Sequence, residues 1–119
     1  MAARDSAVHD KSFAFAVRVV NMARHLQGER REFVLSKQVL RSGTSVGANV
    51  EEARAAQSRK DFIAKMAIAS KEARETRYWL RLLAETSYLE STQAQSMLSD
   101  CEELMRMLTA IVKTSQEGL

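Results

Sequence analysis

The side chains able to do chemistry in this 119-residue chain fall into three sets, and their spacing separates the reactions they could support. The first set is acidic: Glu51 and Glu52, then Glu72 and Glu75. Paired carboxylates hold dinuclear metal centres in helix bundles, but such centres also need a histidine three residues after a glutamate. His9 and His25 both lie early in the chain and neither has that spacing. Ferritin-like metal chemistry is therefore disfavoured, and no metal is expected. The second set is "LRSGTSVGANVEEARAA", residues 40–56, with Gly43 and Gly47 four apart. A P-loop needs GxxxxGK[ST] at the end of a strand, and a dinucleotide fingerprint needs a strand and a third glycine. Neither pattern is present. The third set is cationic. Lys71, Arg74, Arg77 and Arg81 are three or four apart, and Lys37 and Arg41 lie on the preceding segment. On helices these would form a positive ridge able to neutralise phosphates without reading sequence. Arg30, Arg31, Arg59, Lys60 and Lys65 add charge, and Tyr78 is a candidate for stacking on a base,. Trp79 is expected in the core or a subunit interface. No Ser-His-Asp or Cys-His spacing stands out, so no cofactor and no enzymatic activity are expected.

The elements that must position these residues read as helices. Proline is absent and there are only four glycines, so little interrupts a helix. Hydrophobic residues make up 45% and charged residues 28%, which places the chain among soluble globular domains large enough for one core. No run of about 18 apolar residues could span a membrane, and the N-terminal residues show no signal-peptide core. The lone Cys101 cannot form an internal disulfide, so a reducing cytoplasm is the expected compartment. Residues 1–81 hold 16 Lys/Arg against 9 Asp/Glu, and residues 82–119 hold 2 against 6. That asymmetry fits a basic face and an acidic face, and it fits a solvated surface with a chance bias equally well.

Four periodic segments are predicted. The first runs from Ser6 to Gln27, with Phe13, Val17, Val20 and Met22–Ala23 as its apolar stripe. Phe15, Val19 and Leu26 widen it, and Gly28 stops it,. After a polar "GERRE" link, the second runs from Glu32 to Gln57 on Leu35, Val39, Ser42, Val46, Val50 and Ala53. The third runs from Ser58, a capping-box start with Asp61, to Thr86. Its stripe is Phe62, Met66, Ala69, Ala73, Thr76, Leu80 and Leu83. The 57–59 junction reads as a turn or a kink. Ser91 is the expected N-cap of the last helix, Thr92 to Thr114. Met97, Cys101, Leu104, Leu108 and Ile111 form its seam, broadened by Leu98, Met105 and Val112,. Cys101 is thus a small core residue rather than a nucleophile. Helices roughly 33–44 Å long joined by short links predict an all-α, antiparallel up-down-up-down four-helix bundle over residues 1–119 as a single domain.

The apolar period continues through Gly43 and Gly47, so a continuous helix with a close-packing notch is preferred over a break. An antiparallel turn near residue 30 brings Phe13 and Val17 level with Gly47 and Gly43. The same registry across residue 58 places Arg41 level with Glu75. Ser42, Ser45, Asn49, Glu52, Glu72, Glu75 and Trp79 then read, with Arg41, as a polar clasp fixing helix register.

Two boxes in these helices resemble a known family. In "LRSGTSVGANVEEA", Leu40, Arg41, Ser45, Val46, Ala48, Asn49, Val50, Glu52 and Ala53 match L-R-x-S-x-S-[VI]-x-[AS]-N-[IV]-x-E-[GA]. Ser58, Asp61 and Phe62 match a short S-x-x-[DE]-F step. In the next helix Ala69, Glu75, Trp79 and Leu80 match A-x-x-S-x-x-E-x-x-x-W-L. Gly43 and Glu72 stand where the pattern has serine. The chain resembles the four-helix-bundle proteins named for intervening sequences in bacterial 23S ribosomal RNA genes, a family similar to the accessory variability protein of diversity-generating retroelements. The resemblance implies a homopentameric ring with a central pore. In the retroelement relative it also implies binding to a reverse transcriptase and to nucleic acid. The expectation is a cytoplasmic, non-enzymatic oligomer that binds RNA or DNA through the basic ridge. The alternative is a homo-oligomeric scaffold that binds protein and no nucleic acid.

Overall fold

The computed structural model describes residues 3–118. Its helices are α1 (Ala3–Gly28), α2 (Leu35–Arg54), α3 (Arg59–Glu85) and α4 (Ser91–Glu117). They pack in chain order, α1 on α2, α2 on α3 and α3 on α4, and a thinner α1–α4 contact completes the bundle. Residue numbers run in opposite senses across the contacts. On α1 and α2, Val19 meets Gly43 and Ser12 meets Gly47. Neighbours are therefore antiparallel, and the bundle extends over 47 × 21 × 19 Å. Among the described residues no helix is long and apolar enough to cross a membrane.

Three of the four predicted stripes face the core. Val39, Ser42, Val46, Val50 and Ala53 of α2 are buried, as are Met66 through Leu83 of the α3 stripe and all five seam residues of α4. Helix α1 follows its predicted stripe in part: Met22 and Ala23, with the widening residues Phe15, Val19 and Leu26, are buried as expected, and the rest is not. Its buried face is Val8, Phe15, Val19, Met22 and Leu26. Phe13 and Val17, expected inside, are 69% and 47% exposed, and Val20 is exposed beside them. At 3.6 residues per turn, Phe13–Val17–Val20 and Phe15–Val19–Leu26 lie on nearly opposite sides of the helix. Both are apolar, so periodicity marks two candidate faces and cannot choose between them.

Helix α2 is unbroken through both glycines. Its ends differ from expectation. It starts at Leu35 because the Glu32 carboxylate, instead of joining the helix, caps it. The carboxylate accepts from the backbone N–H groups of Val34 (3.1 Å), Leu35 (3.0 Å) and Ser36 (2.7 Å). Ser36 Oγ donates back to the Glu32 carbonyl at 2.8 Å and accepts from Gln27 Nε2 at 3.1 Å. Burial pushes the Glu32 carboxyl upward, but the amide bonds and the Ser36 contact outweigh it and hold the pKa below its ordinary value,. Arg31, with φ 54°, makes the left-handed step that brings Glu32 into place.

The junction after α2 is a turn. Ser58 caps α3 by accepting from the Asp61 N–H at 3.0 Å, and the Asp61 carboxylate accepts from the Gln57 N–H at 3.3 Å. At the start of α4, Glu90 occupies the N-cap position without a side-chain cap, and Ser91 is already helical. Cys101 lies at zero exposure between α3 and α4, its Sγ 3.2 Å from the Ala73 carbonyl it donates to. Burial, with the nearby Glu102 charge, pushes its thiol up to about 12, so it is a packing residue and a poor nucleophile at neutral pH.

Candidate nucleic-acid interface

The glycines open α2 to α1, although Phe13 and Val17 do not fill the space. A Cβ on Gly43 would stand 2.8 Å from both methyl carbons of Val19, and one on Gly47 would stand 3.2 Å from the Ser12 carbonyl oxygen. Backbone and a short branched side chain occupy the notch. Phe13 lies on the outer rim, where it lines a shallow hollow with Ala16, Thr44, Gly47 and Ala48. At one end of that hollow His9 Nε2 sits 2.9 Å from Glu51 Oε1. The hydrogen bond from His9, with the charges of His9 and Arg54, holds the exposed Glu51 carboxyl below its ordinary value.

Glu72 and Glu75 are likewise engaged with side chains of this chain. Arg41 reaches across from α2, Nη1 to Glu72 Oε2 at 3.3 Å and Nη2 to Glu75 Oε2. The same Glu75 oxygen accepts from Trp79 Nε1 at 2.9 Å. Beneath this surface cluster, Ser42 and Thr76 share a 2.9 Å hydroxyl contact at zero exposure, and Thr76 Oγ1 lies 2.8 Å from the Glu72 carbonyl. Thr76 has one hydroxyl hydrogen. With that hydrogen on the carbonyl, Ser42 supplies the other. Thr76 belongs to this cluster, although the sequence marks it only as a stripe position. Ser45 and Asn49 do not reach α3: Asn49 Nδ2 donates to Ser45 O (2.9 Å) and Ser45 Oγ (3.1 Å) within α2. Glu52 is exposed and takes no part in the clasp.

The six cations expected to form one ridge are divided by these contacts. Arg41 is committed to Glu72 and Glu75, and Arg77 Nε is paired with Glu102 Oε2 on α4 at 3.0 Å. Arg74 donates to Ser70 Oγ at 3.1 Å and is in no ion pair among the described residues. Lys37 is exposed on α2. The acids Glu72 and Glu75 lie on the α2 side of α3, between Arg41 and the outward surface, so the ridge does not run across both helices.

A narrower basic face lies on α3 alone. Lys60, Ala64, Ala67, Lys71, Arg74, Tyr78 and Arg81 follow at spacings of four and three and are all exposed. They form one outward stripe about 32 Å long from Lys60 to Arg81. It contains no acid before Glu85, and none of its four cations is in an ion pair among the described residues. Tyr78 stands 57% exposed among them. The inclusion of Lys60 and the loss of Arg41 and Arg77 could be found in sequence only by knowing which sides of α3 meet α2 and α4. Among the described residues, no three His, Cys, Asp or Glu side chains converge as a metal site would require.

The chain matches the family described as 23S rRNA-intervening sequence protein over residues 4–110. A comparison with curated proteins finds no match. Among solved structures it is similar to a protein of unknown function from the S23 ribosomal protein family of Bacteroides thetaiotaomicron VPI-5482. Identity is 54% and the TM-score 0.91, with 92% of this chain and 98% of that one covered. Sequence boxes, bundle and whole-chain similarity agree, and the chain belongs to the 23S rRNA-intervening sequence protein family.

Proposed function

We propose that this protein is a non-enzymatic, self-associating nucleic-acid-binding protein of the cytoplasm that holds RNA or DNA by its phosphates along the outward face of α3, as an accessory to a ribonucleoprotein. The observation that carries this reading is the stripe Lys60, Lys71, Arg74 and Arg81, exposed, in no ion pair among the described residues and uninterrupted by acid. Such a face attracts any polyanion, and its affinity falls with salt as counterions return to the phosphates. The names of the family and of the solved relative refer to ribosomal RNA and the ribosome, and ribosomal RNA is a polyanion of the kind this face suits. Self-association would repeat a weak patch and add avidity. The exposed Phe13, Val17 and Val20 on α1 supply the apolar surface for it,, and a homopentameric ring is the assembly implied by family resemblance.

The test is binding of generic RNA and DNA across a salt series. Wild type binds at low salt with a steep loss as salt rises, and Lys71→Glu with Arg74→Glu weakens binding to all sequences alike. Absence of binding at low salt would refute this reading. It would leave the scaffold reading, which draws on the exposed apolar pair Phe33 and Val34 in the α1–α2 link. In that case the partner is a protein, with a reverse transcriptase one candidate by resemblance.

A further inference from the structure

We propose that the C-terminal end of this α3 face holds a nucleobase-stacking site, so that the protein prefers unpaired strands to duplex. This inference rests on the phosphate-binding reading and adds to it a ligand the cations alone would not select. Tyr78, Arg81, Leu82 and Glu85 line a surface hollow of about 160 Å³. At about 30 Å³ per water, that is the space of about five waters, open to solvent and enough for a flat ring to lie against Tyr78. Its chemistry differs from that of the ridge leading to it. One arginine and one glutamate give it no net charge, and the Glu85 carboxylate would repel a phosphate. A neutral ring bearing N–H groups suits it better: the ring on Tyr78, an N–H donor toward Glu85, the guanidinium of Arg81 beside it. Every base offers a π-face, and the bases carry N–H groups on their pairing edges.

The aromatic platform is already held. Tyr78 meets Trp79 edge-on, with centroids 5.1 Å apart and planes at 75°, so the two rings do not stack face to face. Trp79 is anchored in turn by its hydrogen bond to Glu75. The edge contact with Trp79 leaves the outer face of the Tyr78 ring open to a base. Arg81 and Glu85 also border a second hollow of about 480 Å³, lined in addition by Ser87, Ser91 and Gln95. A strand leaving Tyr78 therefore continues over polar groups. In a duplex the base faces are covered and the pairing edges used, so only an unpaired base can enter.

The experiment compares oligo(dT), an abasic deoxyribose-phosphate strand of the same length and a blunt duplex, each with the full-length protein. Wild type is expected to bind oligo(dT) about tenfold more tightly than the abasic strand, in the range of one stacked base. Tyr78→Ala abolishes that difference while keeping salt-dependent binding to the abasic strand, and Tyr78→Phe retains it. Emission from the single tryptophan, Trp79, responds to oligo(dT) and not to the abasic strand. Equal wild-type affinity for the two strands, or an unchanged preference in Tyr78→Ala, overturns the stacking site and leaves the phosphate-binding face standing. Failure to bind either strand at low salt removes both. Because Tyr78 is exposed, its substitution leaves the fold intact, which circular dichroism checks.

Discussion

Val19 on α1 and Gly43 on α2 fit together so closely that a β-carbon on the glycine would stand 2.8 Å from both valine methyls. The usual gain in helix propensity from Gly to Ala, about 1 kcal/mol, is therefore unavailable here. Val19 is β-branched, fully buried and short of alternative rotamers,, so relief requires α1 to move. Gly43→Ala is expected to destabilise the fold by about 1–2 kcal/mol net, within the range for overpacked cores. Gly43→Ala combined with Val19→Ala should recover part of that loss, measured by urea unfolding. A stabilised single mutant would show that α1 yields easily and that the notch is not a docking constraint.

Arg41, Glu75 and Trp79 form a chain of contacts in which one carboxylate oxygen serves two donors. Arg41 is 52% exposed and Glu75 about a third, so solvent screens the pair and its coupling should be about 0.5–1 kcal/mol. Arg41→Ala and Glu75→Ala are expected to be non-additive by that amount in a double-mutant cycle. Glu75→Ala should also shift Trp79 emission, because it removes the indole's acceptor. Additive losses would mean that the two side chains are neighbours without energetic coupling.

The Glu32 cap connects local structure to pH. Its folded pKa lies below the unfolded value, about 4.3 for a free glutamate. The folded state therefore favours the carboxylate, and the resulting stability is fully present above the unfolded pKa. It is lost as pH falls from near 4.3 through the folded pKa. Glu32→Gln should cost about 1 kcal/mol at pH 7, the size of a lost helix cap, and should reduce the acid-side slope of stability against pH. Urea midpoints for the two proteins between pH 3 and 7 would show it. Parallel curves would assign the acid loss to other carboxylates.

Much of this bundle was readable because α2, α3 and α4 each have a single apolar face. Val39–Val46–Val50, Met66–Ala73–Leu80 and Met97–Leu104–Ile111 offer no competing stripe, so periodicity settles which way each helix turns. The Arg41–Glu75 registry followed from one short connection between two such helices. What failed has physical causes. On α1, Phe13–Val17–Val20 is as apolar as Phe15–Val19–Leu26, and the choice between them rests on tertiary fit, such as that of Val19 to Gly43 and Ser12 to Gly47. Glu32 sits in a charged link and looks solvated, since its capping role depends on the left-handed Arg31. Arg77 leaves the ridge through Glu102, 25 residues away on α4, and the spacing of cations along α3 carries no trace of that.

The outward stripe of α1 gives the last test. Phe13, Val17 and Val20 project from a helix whose opposite side is already packed. They contribute nothing to the monomer's core, and their exposure costs solubility unless another surface covers them. If a second copy covers them, Phe13→Glu with Val17→Glu should convert the assembly to monomers by multi-angle light scattering. The intrinsic stability of the helix bundle should change little, since exposed substitutions usually fall within about 0.5 kcal/mol. The monomeric variant should still bind nucleic acid through α3, but more weakly and with a shallower salt dependence, because one patch replaces several. A wild-type protein that is already monomeric at micromolar concentration would leave this stripe without the role assigned to it. Avidity would then be absent from the binding mechanism.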